Sequence, residues 1–331
     1  MIARHAKSPC CGGKVRRFGR RRRQCAQCKK TWSIRPRKRG RPKRRTSLTV
    51  LKRALLSRYT VRQLAEQRGM LSAPNLRHRF RGALARFVAR PCDNKIPDGP
   101  LVLLADGMRF KFAGKLWVLY LTALKPCASE KALFLDPLLF AGGEAATRWR
   151  RAFAAIPKTA RSRICGLVVD NFNGMRKIAK QQRWVLQLCQ FHLIHKLQFH
   201  RRGPRRTLKG GKVREELYWL IRKAMELPAG GEFERVIATL QHRAGGDCGT
   251  RRMQAVVREF LVCIEHYRAY RSHSNLGMPT TTNVMESMSE IIRDLFRRHR
   301  SANNPASLLC WAKALIRMRP HLVCNGRPST D

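Results

Sequence analysis

The sequence predicts an α/β fold that carries a helical insertion and follows small nucleic-acid-binding modules. Three observations predict it. Apolar runs of strand length alternate with helical periods between residues 101 and 192. A basic, mostly helical stretch, residues 193–279, interrupts that alternation before it closes. Three carboxylates end separate segments: Leu101-Val102-Leu103-Leu104-Ala105-Asp106, Leu167-Val168-Val169-Asp170 and Thr282-Asn283-Val284-Met285-Glu286. A carboxylate closing a buried strand is costly without a positive partner or a metal. Acidic residues are scarce here, 20 Asp+Glu against 70 Lys+Arg, so two at strand ends stand out. Three carboxylates brought together are what a pair of Mg²⁺ ions needs for phosphoryl transfer on nucleic acid. Taken singly, Asp106 or Asp170 could equally cap a strand-to-loop turn.

The balance of charges is +50 on 331 residues. Such a chain repels itself until a polyanion neutralises it, which makes DNA or RNA the natural partner. An anionic membrane surface is the rival, but no apolar run is long enough to span a bilayer. Met1-Ile2-Ala3-Arg4 opens no signal-peptide core. Eight of the 12 cysteines are scattered, mostly inside apolar stretches, as free thiols in a reducing compartment are. The expectation is a cytoplasmic, DNA-associated protein with no membrane partner.

Residues 1–34 read as a zinc ribbon. Cys25-Ala26-Gln27-Cys28 is a sound CxxC knuckle, and Cys10-Cys11-Gly12-Gly13 supplies the other pair for one Zn²⁺. Ser8 stands where the first Cys of a regular knuckle belongs; Cys10 or His5 is left to replace it. Lys14–Phe18 and Trp32–Ile34 read as its strands. Residues 35–46 bury nothing, and their Arg39-Gly40-Arg41-Pro42 core is AT-hook-like, suited to a narrow minor groove. A plain basic linker gripping any phosphate backbone is the equal alternative.

Residues 47–90 read as helix-turn-helix. Leu48, Leu51 and Leu55 have helical spacing, Thr60 can cap, and Gly69 can turn. The second helix would carry Asn75, Arg77, His78 and Arg79 to a major groove. A helical hairpin without DNA contact is the alternative. Pro91–Pro100 is a linker.

Strands are then expected at 101–105, Lys115–Leu124, Ala132–Leu139, 164–169 and Trp184–Cys189, with helices at Glu144–Ile156 and Asn173–Gln182. Three antiparallel-looking strands followed by α/β alternation is the order of a ribonuclease-H-like fold, residues 101–192 and 280–320, in which Asp106 and Asp170 are neighbours. Cys189-Gln190-Phe191-His192 could hold a metal on one helical turn, but no second pair of ligands is apparent. Cys189 closing a strand and His192 opening a helix beside the acidic site fits better. Helices are expected at Val213–Glu226, Glu232–His242 and Arg251–Tyr270. Thr280–Asn283 should cap a helix on which Glu286 and Glu290, one turn apart, could both face the site. Pro305–Met318 is a packing helix.

These motifs, in this order, resemble the DDE transposases of bacterial insertion sequences related to the Mutator superfamily, in the variant with an N-terminal zinc ribbon. Asp106-Gly107 resembles the first-aspartate motif, Val168-Val169-Asp170 the second, Cys189-Gln190-Phe191-His192 the C/D-x-x-H signature, and Thr282-Asn283-Val284-Met285-Glu286 the Thr-Asn-x-x-Glu block. Ser8 departs from the pattern, as does Asn171 where Gly is common. The resemblance implies that Asp106, Asp170 and Glu286 hold Mg²⁺ or Mn²⁺, and that Cys189 and His192 support the site. It implies cleavage and strand transfer on double-stranded DNA, with terminal inverted repeats and target DNA as partners. Pairing two ends calls for a homodimer or larger. A non-catalytic zinc-ribbon/helix-turn-helix regulator and an inactive transposase copy are the alternatives.

Overall fold

The computed structural model describes residues 7–19, 22–33, 48–56, 59–66, 73–92, 95–202, 211–246, 250–299 and 304–324. The AT-hook-like residues Arg39, Gly40, Arg41 and Pro42, the Gly69 turn and His5 lie outside them, as do the side chains of Asn75 and Arg77. Two compact units form, Met1–Arg45 and Thr46–Asp331.

The first unit is a three-stranded antiparallel sheet, β1 (Val15–Arg17), β2 (Arg22–Cys25) and β3 (Thr31–Ser33), in that order. The middle strand was not expected from the sequence. It carries no apolar alternation to read, because Arg22 is exposed, Arg23 half-buried, and the adjacent Gln24 and Cys25 are both buried.

The second unit opens with α1 (Leu48–Leu56), α2 (Val61–Glu66) and α3 (Ala73–Val88). Thr60 does cap α2. Its hydroxyl accepts from Gln63 N at 3.2 Å while Gln63 Oε1 accepts from Thr60 N at 2.8 Å, a reciprocal capping box. Leu55, Leu64, Leu76, Phe80 and Leu84 are buried together. His78 is exposed and Arg79 half-buried.

A mixed sheet follows. β4 (Leu101–Phe112) and β5 (Lys115–Pro126) form a long hairpin. Its two-residue turn, Ala113-Gly114, has φ of 46° and 77°, the left-handed backbone that two-residue hairpins require. β6 (Lys131–Phe134) and β7 (Leu138–Ala141) both pair antiparallel with β5. One strand was expected across them; Pro137 has no N–H to give a ladder, and the chain breaks there. Then come α4 (Ala146–Ala154), α5 (Lys158–Arg161), β8 (Ile164–Val169), α6 (Met175–Gln182) and β9 (Val185–Leu188). β8 runs parallel to β4 on one side and to β9 on the other.

Next are α7 (Gln190–Arg202), α8 (Gly211–Glu226), α9 (Gly231–Gly245) and α10 (Arg251–Val262), which pack on one another. The helix expected over Arg251–Tyr270 is broken into α10, α11 (Ile264–Tyr267) and α12 (Ala269–Ser272). The breaks follow from side chains bonding its backbone: Gln187 and Gln190 both donate to Tyr267 O at 3.0 Å, and Tyr270 N donates to Gln187 Oε1 at 2.8 Å. Finally α13 (Asn283–His299), α14 (Pro305–Met318) and an unexpected β10 (His321–Val323) complete the chain; β10 pairs with β6 at the sheet edge.

Strand alternation divides the core. Leu101, Leu103, Ala105, Leu167 and Val169 face α4, α6 and the inserted helices; Val102, Leu104, Met108 and Val168 face α1–α3, α13 and α14. Arg317 of α14 ties that second layer. It donates to Asp136 Oδ1 at 2.8 Å, to the carbonyl of Val88 at the end of α3 at 2.8 Å, and to that of Arg90 just past it at 2.6 Å.

Before α13 the chain crosses the sheet as residues 277–282. Buried Lys125 donates to Gly277 O at 2.8 Å. Gly277 has φ of 53°, and a Cβ there would lie 2.3 Å from the Cys127 carbonyl oxygen. Gly277→Ala should therefore cost about 2 kcal/mol or more. Urea unfolding checks this, and an unchanged midpoint would contradict the close approach.

Candidate active site

The sequence placed Asp106 at a strand end. It lies instead inside β4, which runs on to Phe112 because β5 pairs with it throughout. The parallel neighbour β8 stops earlier. Leu104 pairs with Val168, so Asp106 and Asp170 each follow two residues beyond the same rung and share one face by the period-two alternation. That face is the one against α13, which carries Glu286 in its first turn.

Asp106, His192 and Glu286 converge, their ligand atoms all within 4.8 Å of one another. Asp170 is not in that tight group, but its charge acts on both Asp106 and His192. Burial, and then the charge of Glu286, push the Asp106 carboxyl up to about 6. Gly107 N donates to its Oδ1 at 2.8 Å, and Asn171 N donates to Asp170 Oδ1 at 2.6 Å.

His192 Nε2 lies 3.1 Å from Glu286 Oε1. Burial opposes a charge on this ring, but Cys189, Glu286 and Asp170 together outweigh it and hold its pKa at about 11. Its bond holds the Glu286 carboxyl below its usual range, while its Nδ1 is buried with no hydrogen-bond partner among the described residues. Sequence reasoning gave His192 only a supporting place; the signal for more was its spacing from the strand-closing Cys189.

Cys189 is fully enclosed and brings these elements together. Its N donates to Val169 O at 2.9 Å, across to β8. Its sulfur accepts from Thr282 N at 3.2 Å and from the Thr282 hydroxyl at 3.1 Å. Of the residues 280–283 expected to cap this helix, Thr282 directly precedes it and its carbonyl accepts from Glu286 N at 3.0 Å, while its hydroxyl turns to the thiol. Gln190 N donates to Thr280 O at 2.9 Å. These bonds set the start of α13 against the end of β9, and so bring Glu286 to His192. Thr282→Val keeps the shape but removes the hydroxyl. A loss of about 1 kcal/mol is expected in denaturant unfolding; an unaltered stability would show that the thiol contact contributes nothing.

Glu290 does not face the site. It is exposed and pairs with Arg293 and Arg297. Two other carboxylates that the sequence did not single out lie close by. Glu144 accepts from Trp149 Nε1 at 2.9 Å, lies 3.7 Å from Arg109, and is raised by burial. Glu259 of α10 accepts from Asn171 Nδ2 at 2.9 Å and from Lys196 at 3.1 Å. Asn171 therefore ties the loop after Asp170 to the inserted helices, a role that Gly could not fill.

In the first unit Cys10, Cys11, Cys25 and Cys28 form a cluster that could bind zinc, their sulfurs all within 4.8 Å. Ser8 is buried, and its hydroxyl lies 2.6 Å from the Cys10 sulfur. It favours the thiolate at Cys10, and holds Cys25 down to about 6. The irregular knuckle thus places both neighbouring cysteines in the cluster, with Ser8 bonded to it from outside.

Among the described residues no helix is long and apolar enough to cross a membrane. No family model matches the chain, and no curated protein matches it. Among solved structures it is similar to a chain of the simian T-cell lymphotropic virus intasome in complex with the PP2A regulatory subunit B56 gamma. The identity is 13%, over 54% of this chain and 64% of that one, with a TM-score of 0.19. The chain thus spans less than two thirds of that protein's length. At that TM-score the likeness carries no weight for fold or function.

Proposed function

We propose that the chain is a DDE transposase of the bacterial insertion-sequence type related to the Mutator superfamily, built on a ribonuclease-H-like domain. The observation that carries the reading is the convergence of Asp106 and Glu286 on one face of the sheet, with Asp170 two residues past the same rung of the adjacent parallel strand. Carboxylate oxygens are the donors hard divalent cations take. Asp106, buried and repelled by Glu286, is also a group that gains from added positive charge. Asp106, Asp170 and Glu286 would hold Mg²⁺ or Mn²⁺, which supplies activation of the attacking oxygen and charge neutralisation at phosphorus.

The chain's own residues orient and balance this site. His192 fixes the Glu286 carboxylate through its Nε2 and, when protonated, adds positive charge where a phosphate would lie. Cys189 and Thr282 hold the helix that delivers Glu286. No protein nucleophile is required, because water and then a 3′-hydroxyl attack phosphorus directly. Double-stranded DNA, as terminal inverted repeats and target, is the proposed partner, read by the ribbon, the basic linker and α1–α3. Bringing two ends together calls for a dimer or larger.

The test is end cleavage of a supercoiled plasmid carrying the gene's own flanking DNA, with Mg²⁺ or Mn²⁺. Metal-dependent nicks at defined ends are expected. Binding without nicking overturns the catalytic assignment in favour of a DNA-binding regulator or an inactive copy.

A further inference from the structure

Beside Glu286 lies a cleft of about 320 Å³, lined by Phe191, Asn283, Val284, Glu286, Ser287 and Val323. Phe191 immediately precedes His192 on the first turn of α7, yet it belongs to neither core and is 37% exposed. Leaving a phenyl ring open to water forgoes the burial that ordinarily places it inside. The ring is nonetheless held in place. It stacks on His195 with centroids 6.0 Å apart at 28°, and meets the edge of His192 at 5.7 Å and 83°. Val323, 50% exposed, forms a second apolar wall. Between the walls, the Asn283 amide offers both a donor and an acceptor, and Ser287 a hydroxyl.

We propose that this cleft takes one unpaired nucleobase from the DNA strand bound at the acidic site, stacked on Phe191. The inference rests on the transposase reading for the identity of the strand. Flat apolar walls with a few convergent polar groups suit a heterocycle. A phosphate is the poorer occupant of the cleft itself, because none of the described residues lining it is Lys, Arg or His, whereas a base is neutral. The base adjoining a phosphate at the acidic cluster is its covalent neighbour, so it arrives at the cleft with the strand. In a duplex both faces of that base are covered by stacking, so it must leave the stack to reach Phe191. Asn283 and Ser287 then stand where the edge of the base would be read.

The test uses the full chain with Ca²⁺ and short duplexes carrying either a paired 2-aminopurine or one left unpaired opposite an abasic site. Wild type should bind the unpaired probe roughly tenfold more tightly than the paired one and quench its fluorescence. Phe191→Ala should lose both effects while binding the paired duplex as wild type does. Phe191→Trp should retain them, which excludes a merely structural role for the phenyl ring. Equal quenching by wild type and Phe191→Ala, or no preference for the unpaired base, overturns the proposal. Running the plasmid assay in parallel separates the two readings. Nicking without Phe191-dependent quenching removes this site alone. Quenching without nicking keeps the site and removes the catalytic assignment.

Discussion

Exchanging Asp106, Asp170 or Glu286 for its amide should each reduce metal-dependent nicking by more than about 100-fold, because losing even an outer partner of a metal ligand costs 10–100-fold. The amides preserve volume, so the effect isolates charge. At position 106 the bond from Gly107 N survives, since an amide oxygen accepts as a carboxylate does. Burial already disfavours the charge on Asp106, so Asp106→Asn should fold at least as stably as wild type. Glu286→Gln loses the ion pair with His192 as well, so its stability should fall. Pairs of these substitutions should be little worse than single ones, because the groups act as a unit. The measurement is the initial nicking rate with Mg²⁺, accompanied by thermal unfolding of each variant. An Asp106→Asn protein that nicks at the wild-type rate would falsify the assignment of this cluster as the reaction centre.

Removing zinc should unfold the first unit and leave the second intact. Three short strands with a single buried apolar side chain among their described residues, Cys25, cannot offset the entropy of ordering so small a unit. A zinc ion held by the four cysteines would supply it, since structural zinc sites in small modules contribute about 10–16 kcal/mol. One zinc per chain is expected, released by a strong chelator or by Cys25→Ser. Limited proteolysis should then attack the segment before residue 46, while the unfolding transition of Thr46–Asp331 stays where it was. Ser8→Ala should keep the metal and weaken its hold, since the four cysteines remain while the Ser8 bonds to the Cys10 sulfur and Cys10 N, and its hold on Cys25, are lost. Protected amides in a metal-free ribbon would contradict this account.

The parts of the fold that the sequence made legible are those with their own period. Ile164–Val169 is an apolar run bounded by Asp170, and Pro305–Met318 begins with a proline at its start and an Asn304 cap whose side chain accepts from Ser307 N at 2.8 Å. What stayed hidden depends on distant partners. β4 continues through Asp106 because β5 lies alongside, and β10 is three residues with no period to read. The breaks after α10 come from Gln187 and Gln190, which reach Tyr267 across 80 and 77 residues of chain. At the site, three separate motifs named the carboxylates one by one. Their distances, and the entry of His192 into the group, were set by the Cys189–Thr282 contact, which no local pattern encodes.

Helices α1–α3 share one hydrophobic core with α14 and the sheet: Phe80 and Leu84 lie in the same cluster as Trp311, Leu315 and Met108, and Arg317 bolts the end of α3 in place. Under the proposed function, that rigidity makes the protein a ruler. The spacing from the sequence read by α3 to the phosphate cut near Asp106 becomes a fixed count of base pairs. Inserting a base pair between them would move the cut along the DNA by one step, where a flexible tether would have absorbed it.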